Sequence, residues 1–135
     1  MNWFIASLFA LLGFGLWGFF TKLAVVNMDS KSALIYQTLG VAIVGFYILY
    51  TMDFKPSSHP KSIFYSVLTG AAYGIGCLFY FVAASKGKIT TVVSLTALYP
   101  LVTIVLGVLL LNESVNLKQG LGITLACVAI LLMAT

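Results

Sequence analysis

Five long apolar stretches, separated by short polar segments, make up most of the sequence. They cover approximately residues 3–23, 33–51, 62–85, 90–111 and 117–135. A helix rises ~1.5 Å per residue, so about 20 apolar residues cross the ~30 Å hydrocarbon core of a bilayer. The pattern therefore predicts an all-α integral membrane protein with five transmembrane helices.

Composition supports this prediction, because 61% of the 135 residues are hydrophobic and 7% are charged. Soluble domains carry roughly a quarter charged residues. We therefore expect one membrane domain over residues 1–135, lying in a lipid bilayer, with its apolar N-terminus retained as the first span. The seven basic residues are all Lys and are spread singly, which argues against nucleic-acid binding. Cys77 and Cys127 fall in apolar spans, and no spacing of residues predicts a metal site or a cofactor.

The fourth stretch contains a proline where a helix would be deepest in the membrane. Pro100 has no N–H, so the carbonyl of Thr96 loses its partner and the helix must bend there. A freed carbonyl in lipid is tolerated only against protein or a wetted cavity. We therefore predict that Thr96, Tyr99 and Thr103 face a substrate pathway and that Pro100 acts as a hinge.

The third stretch carries tyrosines at helical spacing on one face: Tyr65, Thr69, Tyr73, Gly76 and Tyr80 share this stripe. An unpaired phenol in hydrocarbon is costly, so the stripe should face protein or water. Tyr73 and Tyr80 either line a substrate cavity or are hydrogen-bonded core residues. Trp17 in the first stretch has the same two interpretations, a cavity wall or a packing aromatic. Gln37 either reaches the interface or a neighbouring backbone, or contacts substrate, and Lys22 either extends to the lipid headgroups or recognises an anionic substrate.

Polar residues at the starts of three helices have the pattern of helix caps. Asp29 or Ser30 can cap helix two, and Pro60 suits the first turn of helix three. Asn116 and Gln119 resemble an N-cap with its N3 partner for helix five. For the neighbouring Glu113 we favour interaction with the positive end of that helix over a role in coupling.

Several of these segments together resemble a known family. They are LWGFFTKLA at the end of helix one, the hydroxyl residues before a mid-helix proline, the closing Leu-Asn-Glu, and the following helix with Gln119, Gly120 and Gly122. This combination resembles the repeat of EamA transporters, members of the drug/metabolite transporter superfamily. The resemblance implies a central cavity lined chiefly by helices one, three and four, and substrates such as amino acids and related compounds. Most members carry two repeats in tandem, whereas this chain has room for one.

A single five-helix repeat has its termini on opposite sides of the membrane, so it would need an inverted partner. One side carries Lys55, Lys61 and Lys118, and the other carries Lys22, Lys31, Lys86 and Lys88. This small bias fixes the orientation weakly. We therefore predict dual topology and an antiparallel homodimer in a prokaryotic plasma membrane, with Gly122, Ala126 and Ala129 forming the small-residue interface.

The function predicted from the sequence is transport of a small polar or amphiphilic metabolite by alternating access. No predicted span contains Asp or Glu, in contrast to the small multidrug resistance proteins, so cation efflux through a membrane carboxylate is disfavoured. No arrangement of residues indicates an enzyme. The alternative is a non-transporting accessory or heterodimeric subunit, such as half of a lipid-carrier flippase paired with a sister subunit.

Overall fold

A computed structural model describes the backbone of residues 2–134 and the side chains of residues 2–132. Within that range every regular element of secondary structure is a helix. The elements are α1 (Trp3–Ala24), α2 (Ser30–Thr51), α3 (Pro60–Lys86), α4 (Ile89–Thr96), α5 (Tyr99–Leu111) and α6 (Leu117–Ala134). The first three helices and the stretch Ile89–Leu111 are long and apolar enough to cross a membrane, and α6 is a shorter apolar helix. The all-α fold with five apolar stretches is confirmed; the last predicted residue of the fifth, Thr135, lies outside the described residues.

The helix starts follow the predicted caps. The carboxylate of Asp29 accepts hydrogen bonds from the amides of Lys31 and Ser32, both at 3.0 Å, so α2 begins earlier than residue 33. Asn116 and Gln119 cap α6 reciprocally, because each side chain accepts from the backbone amide of the other, at 2.8 and 2.9 Å. Such caps satisfy amides that have no partner inside the helix.

The fourth stretch differs from the predicted continuous helix over residues 90–111. Helix α4 ends at Thr96, and α5 starts at Tyr99. Between them the hydrogen-bond spacing shortens from four residues to three, because the amide of Leu98 donates to the Leu95 carbonyl at 3.3 Å. Pro100 is thereby the second residue of α5, in the first turn, where its missing N–H costs nothing. The proline thus starts a new helix rather than bending a continuous one.

Helices α1, α2 and α3 form one compact unit, in which α3 packs against both others. Its buried side chains are concentrated towards the end that holds the C-termini of α1 and α3 and the N-terminus of α2; they are Thr21, Val25, Ala33, Cys77, Tyr80, Phe81 and Ala84. Glycines further towards the opposite end have no neighbour within 4 Å of the position that a Cβ would take; these are Gly13, Gly15, Gly40, Gly45, Gly70 and Gly74. The three helices are therefore packed tightly at one end of the unit and more loosely at the other.

Helices α4, α5 and α6 form a second compact unit, in which α4 packs against α6. Helix α5 ends at Leu111, and the following cap residue, Asn112, has a left-handed backbone (φ 53°) that turns the chain out of the helix. The backbone amide of Glu113 then donates to the Gly107 carbonyl at 3.2 Å. The side-chain Oε2 of Glu113 lies 3.2 Å from the position that a Cβ on Gly107 would take. The Glu113 side chain therefore covers Gly107, which is buried.

Candidate functional site

Four side chains from the three helices of the first unit meet in what we call the aromatic–amide cluster: Trp17, Gln37, Tyr73 and Tyr80. The indole Nε1 of Trp17 donates to Gln37 Oε1 at 2.7 Å. Gln37 Nε2 donates to the Tyr73 hydroxyl at 3.5 Å. The rings of Trp17 and Tyr80 are 4.5 Å apart between centroids and inclined by 37°. The structure thus brings three of the predicted pathway residues together around an amide.

Helix geometry places this cluster about two helical turns from the tightly packed end of the first unit, with Tyr80 buried and Tyr73 exposed. Gln37 follows the start of α2 by two helical turns, about 10 Å along the axis. Tyr73 and Tyr80 are seven residues apart on α3 and therefore lie on one face, two turns from each other. Behind Trp17, the buried Thr21 donates its hydroxyl to the Trp17 carbonyl at 2.8 Å. Each cluster residue is therefore carried by regular helix, which limits how far its side chain can move.

Some hydrogen-bonding groups of the cluster have no partner among the described residues. The Gln37 amide has two N–H groups, and the residues described here supply one partner, the distant Tyr73 hydroxyl. Tyr80 is only 8% exposed, yet no hydrogen bond from its hydroxyl to any described residue is present. The Tyr80 hydroxyl is nevertheless accessible at the surface, because no buried side-chain nitrogen or oxygen among the described residues lacks a partner. The cluster therefore favours a polar occupant that can supply these bonds.

The cluster is uncharged. In the described part of the chain the acidic residues Asp29, Asp53 and Glu113 all lie outside the helices, as the sequence predicts. The described residues contain no group of three or more His, Cys, Asp or Glu side chains able to hold a metal ion. The chemistry available at the cluster is therefore hydrogen bonding and contact with aromatic rings.

The remaining predicted pathway residues lie in the second unit. Thr96 donates its hydroxyl to the Val92 carbonyl at 2.8 Å, so its own helix satisfies it. Tyr99 is 66% exposed, and Thr103 lies one turn further along α5 and is also exposed. No hydrogen bond from either hydroxyl to another described residue is present. Pro100, the predicted hinge, is exposed beside Tyr99 and follows the break at residues 97–98.

The residues predicted to form a dimer interface lie on the exposed surface of α6. Gly122, Ala126 and Ala129 are all exposed, and no atom lies within 4 Å of a Cβ position at Gly122. Gly122 and Ala126 also line a groove of about 520 Å³, together with Glu113 and Gln119. This surface is therefore accessible in the single chain, and the interface stays a prediction.

Two polar residues have contacts that the sequence did not specify. Gln37 is the link between α1 and α3 in the cluster, and its only signal in the sequence was an amide within an apolar stretch. Lys22 donates from Nζ to the Ala84 carbonyl at 2.7 Å, in the last turn of α3. The sequence predicted that Lys22 contacts either lipid headgroups or an anionic substrate. The observed contact is instead within the protein and joins residues 62 positions apart.

Long apolar helices without acidic residues define the class of the chain as a multi-pass integral membrane protein. Comparison with known families agrees and is more specific. The EamA-like transporter family matches residues 1–135, and the chain belongs to this family. Family membership, together with the relatives below, indicates a membrane transporter rather than an enzyme.

Individual relatives fall into two groups. An uncharacterized protein of Methanocaldococcus jannaschii is 29% identical over 134 residues, which are 96% of this chain and 94% of that protein. The glucose uptake protein GlcU of Staphylococcus xylosus is 30% identical over 108 residues, and the probable GlcU of Staphylococcus aureus is 32% identical over 117 residues. These matches cover 80% and 87% of this chain but 36% and 39% of the two GlcU proteins. No solved structure matches the chain.

Proposed function

We propose that this chain is a subunit of a transporter that moves a small polar solute across a prokaryotic plasma membrane, with glucose as the first solute to test. The observation that carries the proposal is the aromatic–amide cluster, where Gln37 joins Trp17 and Tyr73 about 10 Å along α2 from its start. Polar groups at such a depth in a membrane helix are costly and are typical of a substrate path. The glucose uptake relatives supply the candidate solute.

The chemistry of the cluster suits a neutral solute with hydroxyl groups. The Gln37 amide and the Tyr80 hydroxyl have bonding capacity to offer it. The ring faces of Trp17 and Tyr80 offer apolar surface beside those polar groups. Solute pockets commonly combine apolar or aromatic walls with a few polar groups that fix orientation.

Alternating access by an antiparallel homodimer completes the proposal. The chain matches 36% and 39% of the two GlcU proteins, so one copy corresponds to a part of such a protein. The hydroxyls of Tyr99 and Thr103 have no described partner on α5, and in a bilayer such groups need protein or water against them. A second, inverted copy supplies protein, and the break before Pro100 supplies a place where α5 can pivot.

Uptake by purified protein in proteoliposomes tests the proposal. We expect saturable uptake of labelled glucose that unlabelled glucose inhibits. Trp17→Leu should abolish most of it, whereas Trp3→Leu, at a position 78% exposed near the N-terminus, should leave it unchanged. Absence of uptake and of exchange for glucose and other small polar solutes, by folded protein, contradicts the proposal. Uptake that appears only with a sister subunit supports the accessory or heterodimeric alternative.

A further inference from the structure

We propose that Gln37 sets the charge selectivity of the cluster, so that the site accepts an uncharged polyhydroxylated solute and rejects its cationic and anionic analogues. This inference rests on the proposed function, because it concerns the solute that the transporter carries. It assigns specificity to Gln37 on α2, for which contact with substrate was one of the two interpretations of the sequence.

The Trp17 contact fixes the orientation of the Gln37 amide. An indole N–H can only donate a hydrogen bond, so the amide oxygen must face Trp17, as the 2.7 Å distance to Oε1 shows. The amide nitrogen therefore faces the other way, towards Tyr73. Gln37 consequently presents donors to the cluster, while one of its acceptor positions is occupied by the indole.

Those donors are incompletely used. The contact of Nε2 with the Tyr73 hydroxyl is 3.5 Å long, beyond the 2.7–3.2 Å of ordinary N–H hydrogen bonds. Among the described residues, the second N–H of Gln37 has no acceptor. A hydroxyl oxygen of a solute could accept from this nitrogen, and the phenols of Tyr73 and Tyr80 could bond its neighbouring hydroxyl groups.

Charged solutes lack a counter-charge at this position. The helices of the first unit contain no carboxylate for an ammonium group, and the ammonium of Lys22 is bound to the Ala84 carbonyl at the helix ends. Removing a charge from water without an opposite charge costs far more than burying a hydroxyl that is hydrogen-bonded. The amide, as an uncharged donor, therefore favours a neutral solute over a charged one of the same shape.

A pair of matched variants tests this selectivity in proteoliposomes. Gln37→Glu places a carboxylate in the cluster. Gln119→Glu makes the same chemical change in the capping pair of α6, where Glu also serves as the N3 partner. The measurement is inhibition of labelled glucose uptake by unlabelled glucose, by glucosamine, which is largely cationic near neutral pH, and by gluconate, which is anionic.

For the wild type we expect glucosamine and gluconate to inhibit at least about tenfold more weakly than glucose. In Gln37→Glu the preference for glucose over glucosamine should fall about tenfold or reverse, while gluconate remains excluded. Gln119→Glu should keep the wild-type ratios. If Gln37→Glu and Gln119→Glu show the same ratio of inhibition by glucose to inhibition by glucosamine, Gln37 does not set the charge selectivity. A wild type that glucose and gluconate inhibit equally would also overturn the inference.

A binding measurement keeps the inference testable if Gln37→Glu does not fold. The chain has two tryptophans, so Trp3→Phe leaves Trp17 as the only indole. In that background we expect glucose to change the Trp17 emission of detergent-purified protein, and Gln37→Met to raise the required concentration about tenfold through loss of the amide donors. An unchanged glucose titration in Gln37→Met would refute the inference alone. Neither binding nor uptake of any solute by the wild type would refute the proposed function itself.

Discussion

The ammonium nitrogen of Lys22 lies 2.7 Å from the carbonyl oxygen of Ala84, and this contact joins the C-terminal ends of α1 and α3. Ala84 is completely buried, and its carbonyl is one of the last four of α3, which have no donor within the helix. A positive charge also interacts favourably with the negative end of a helix dipole. The contact therefore strengthens the tightly packed end of the three-helix unit, on which the aromatic–amide cluster depends.

Replacing Lys22 should lower the stability of the protein. Lys22→Met keeps much of the apolar stem but removes the donor and the charge, and we expect a loss of about 1–2 kcal/mol. The matched control is Lys31→Met, because Lys31 is exposed in the first turn of α2, where the helix dipole disfavours a positive charge. Thermal unfolding in detergent measures both. Equal melting temperatures for Lys22→Met and the wild type would show that the contact contributes nothing.

Asp29 should make a pH-dependent contribution through its cap on α2. Hydrogen bonds from the side chain and backbone amide of Ser32, and from the amide of Lys31, lower the pKa of Asp29 from its ordinary value of 3.8. Because the pKa is lower in the folded protein, this stabilisation is present above pH 3.8 and is lost as the pH falls through the lowered pKa.

Two substitutions separate the cap from its charge. Asp29→Ala should lower the melting temperature by a few degrees at neutral pH, and Asp29→Asn, which keeps an acceptor oxygen, should lower it less. The difference between wild type and Asp29→Ala should shrink when the pH is lowered below 3.8. A difference that stays constant or grows over that range would show that the carboxylate is not the capping group.

How far the sequence predicts the structure depends on the range of the interactions concerned. Asn116 with Gln119 and Asp29 with the start of α2 are contacts within three residues, and the sequence predicts both. The two-residue break before Pro100 is also local, but the sequence predicted a bend in one continuous helix, and the structure has a new helix start instead. The contact of Trp17 with Gln37 spans 20 residues and that of Lys22 with Ala84 spans 62, and both depend on how helices pack. Apolar periodicity gives the helices but not this pairing, because a membrane helix carries apolar residues on most of its surface and so does not mark the face that meets a neighbour.

The exposed hydroxyl face of α5 should be accessible to water if it lines the solute path. Thr103 and Val105 are both exposed, but a helix turns about 100° per residue, so they lie on nearly opposite faces. With Cys77 and Cys127 replaced by alanine, Thr103→Cys should react at least about tenfold faster than Val105→Cys with a charged, water-soluble thiol reagent, since thiolate formation is disfavoured in lipid.

Glucose provides a second comparison for these two cysteines. If Thr103 lies on the path, saturating glucose should slow its modification and leave that of Val105→Cys unchanged. Reaction rates measured by mass change of protein in proteoliposomes give both values. Equal, slow modification at the two positions would place Thr103 against lipid or packed protein and would remove α5 from the path.

The predicted dual topology has a direct test in single-cysteine variants. Asn27 follows α1 and Ser58 precedes α3, so the two lie at opposite ends of the first unit and are exposed. In the cysteine-free background, a membrane-impermeant reagent should label about half of the Asn27→Cys molecules and about half of the Ser58→Cys molecules in intact cells. Labelling of one variant alone would establish a fixed orientation and exclude an antiparallel homodimer.

Charge variants extend this test to function. Ser57→Lys, His59→Lys and Lys88→Gln together change the lysine distribution from three against four to five against three. Because the side richer in lysine stays in the cytoplasm, Asn27→Cys should then be labelled and Ser58→Cys protected. Glucose uptake should fall when every copy has this orientation, since an inverted partner is missing. It should return when a variant biased the opposite way is co-expressed, and full uptake by the single-orientation protein would show that the active assembly is parallel or monomeric.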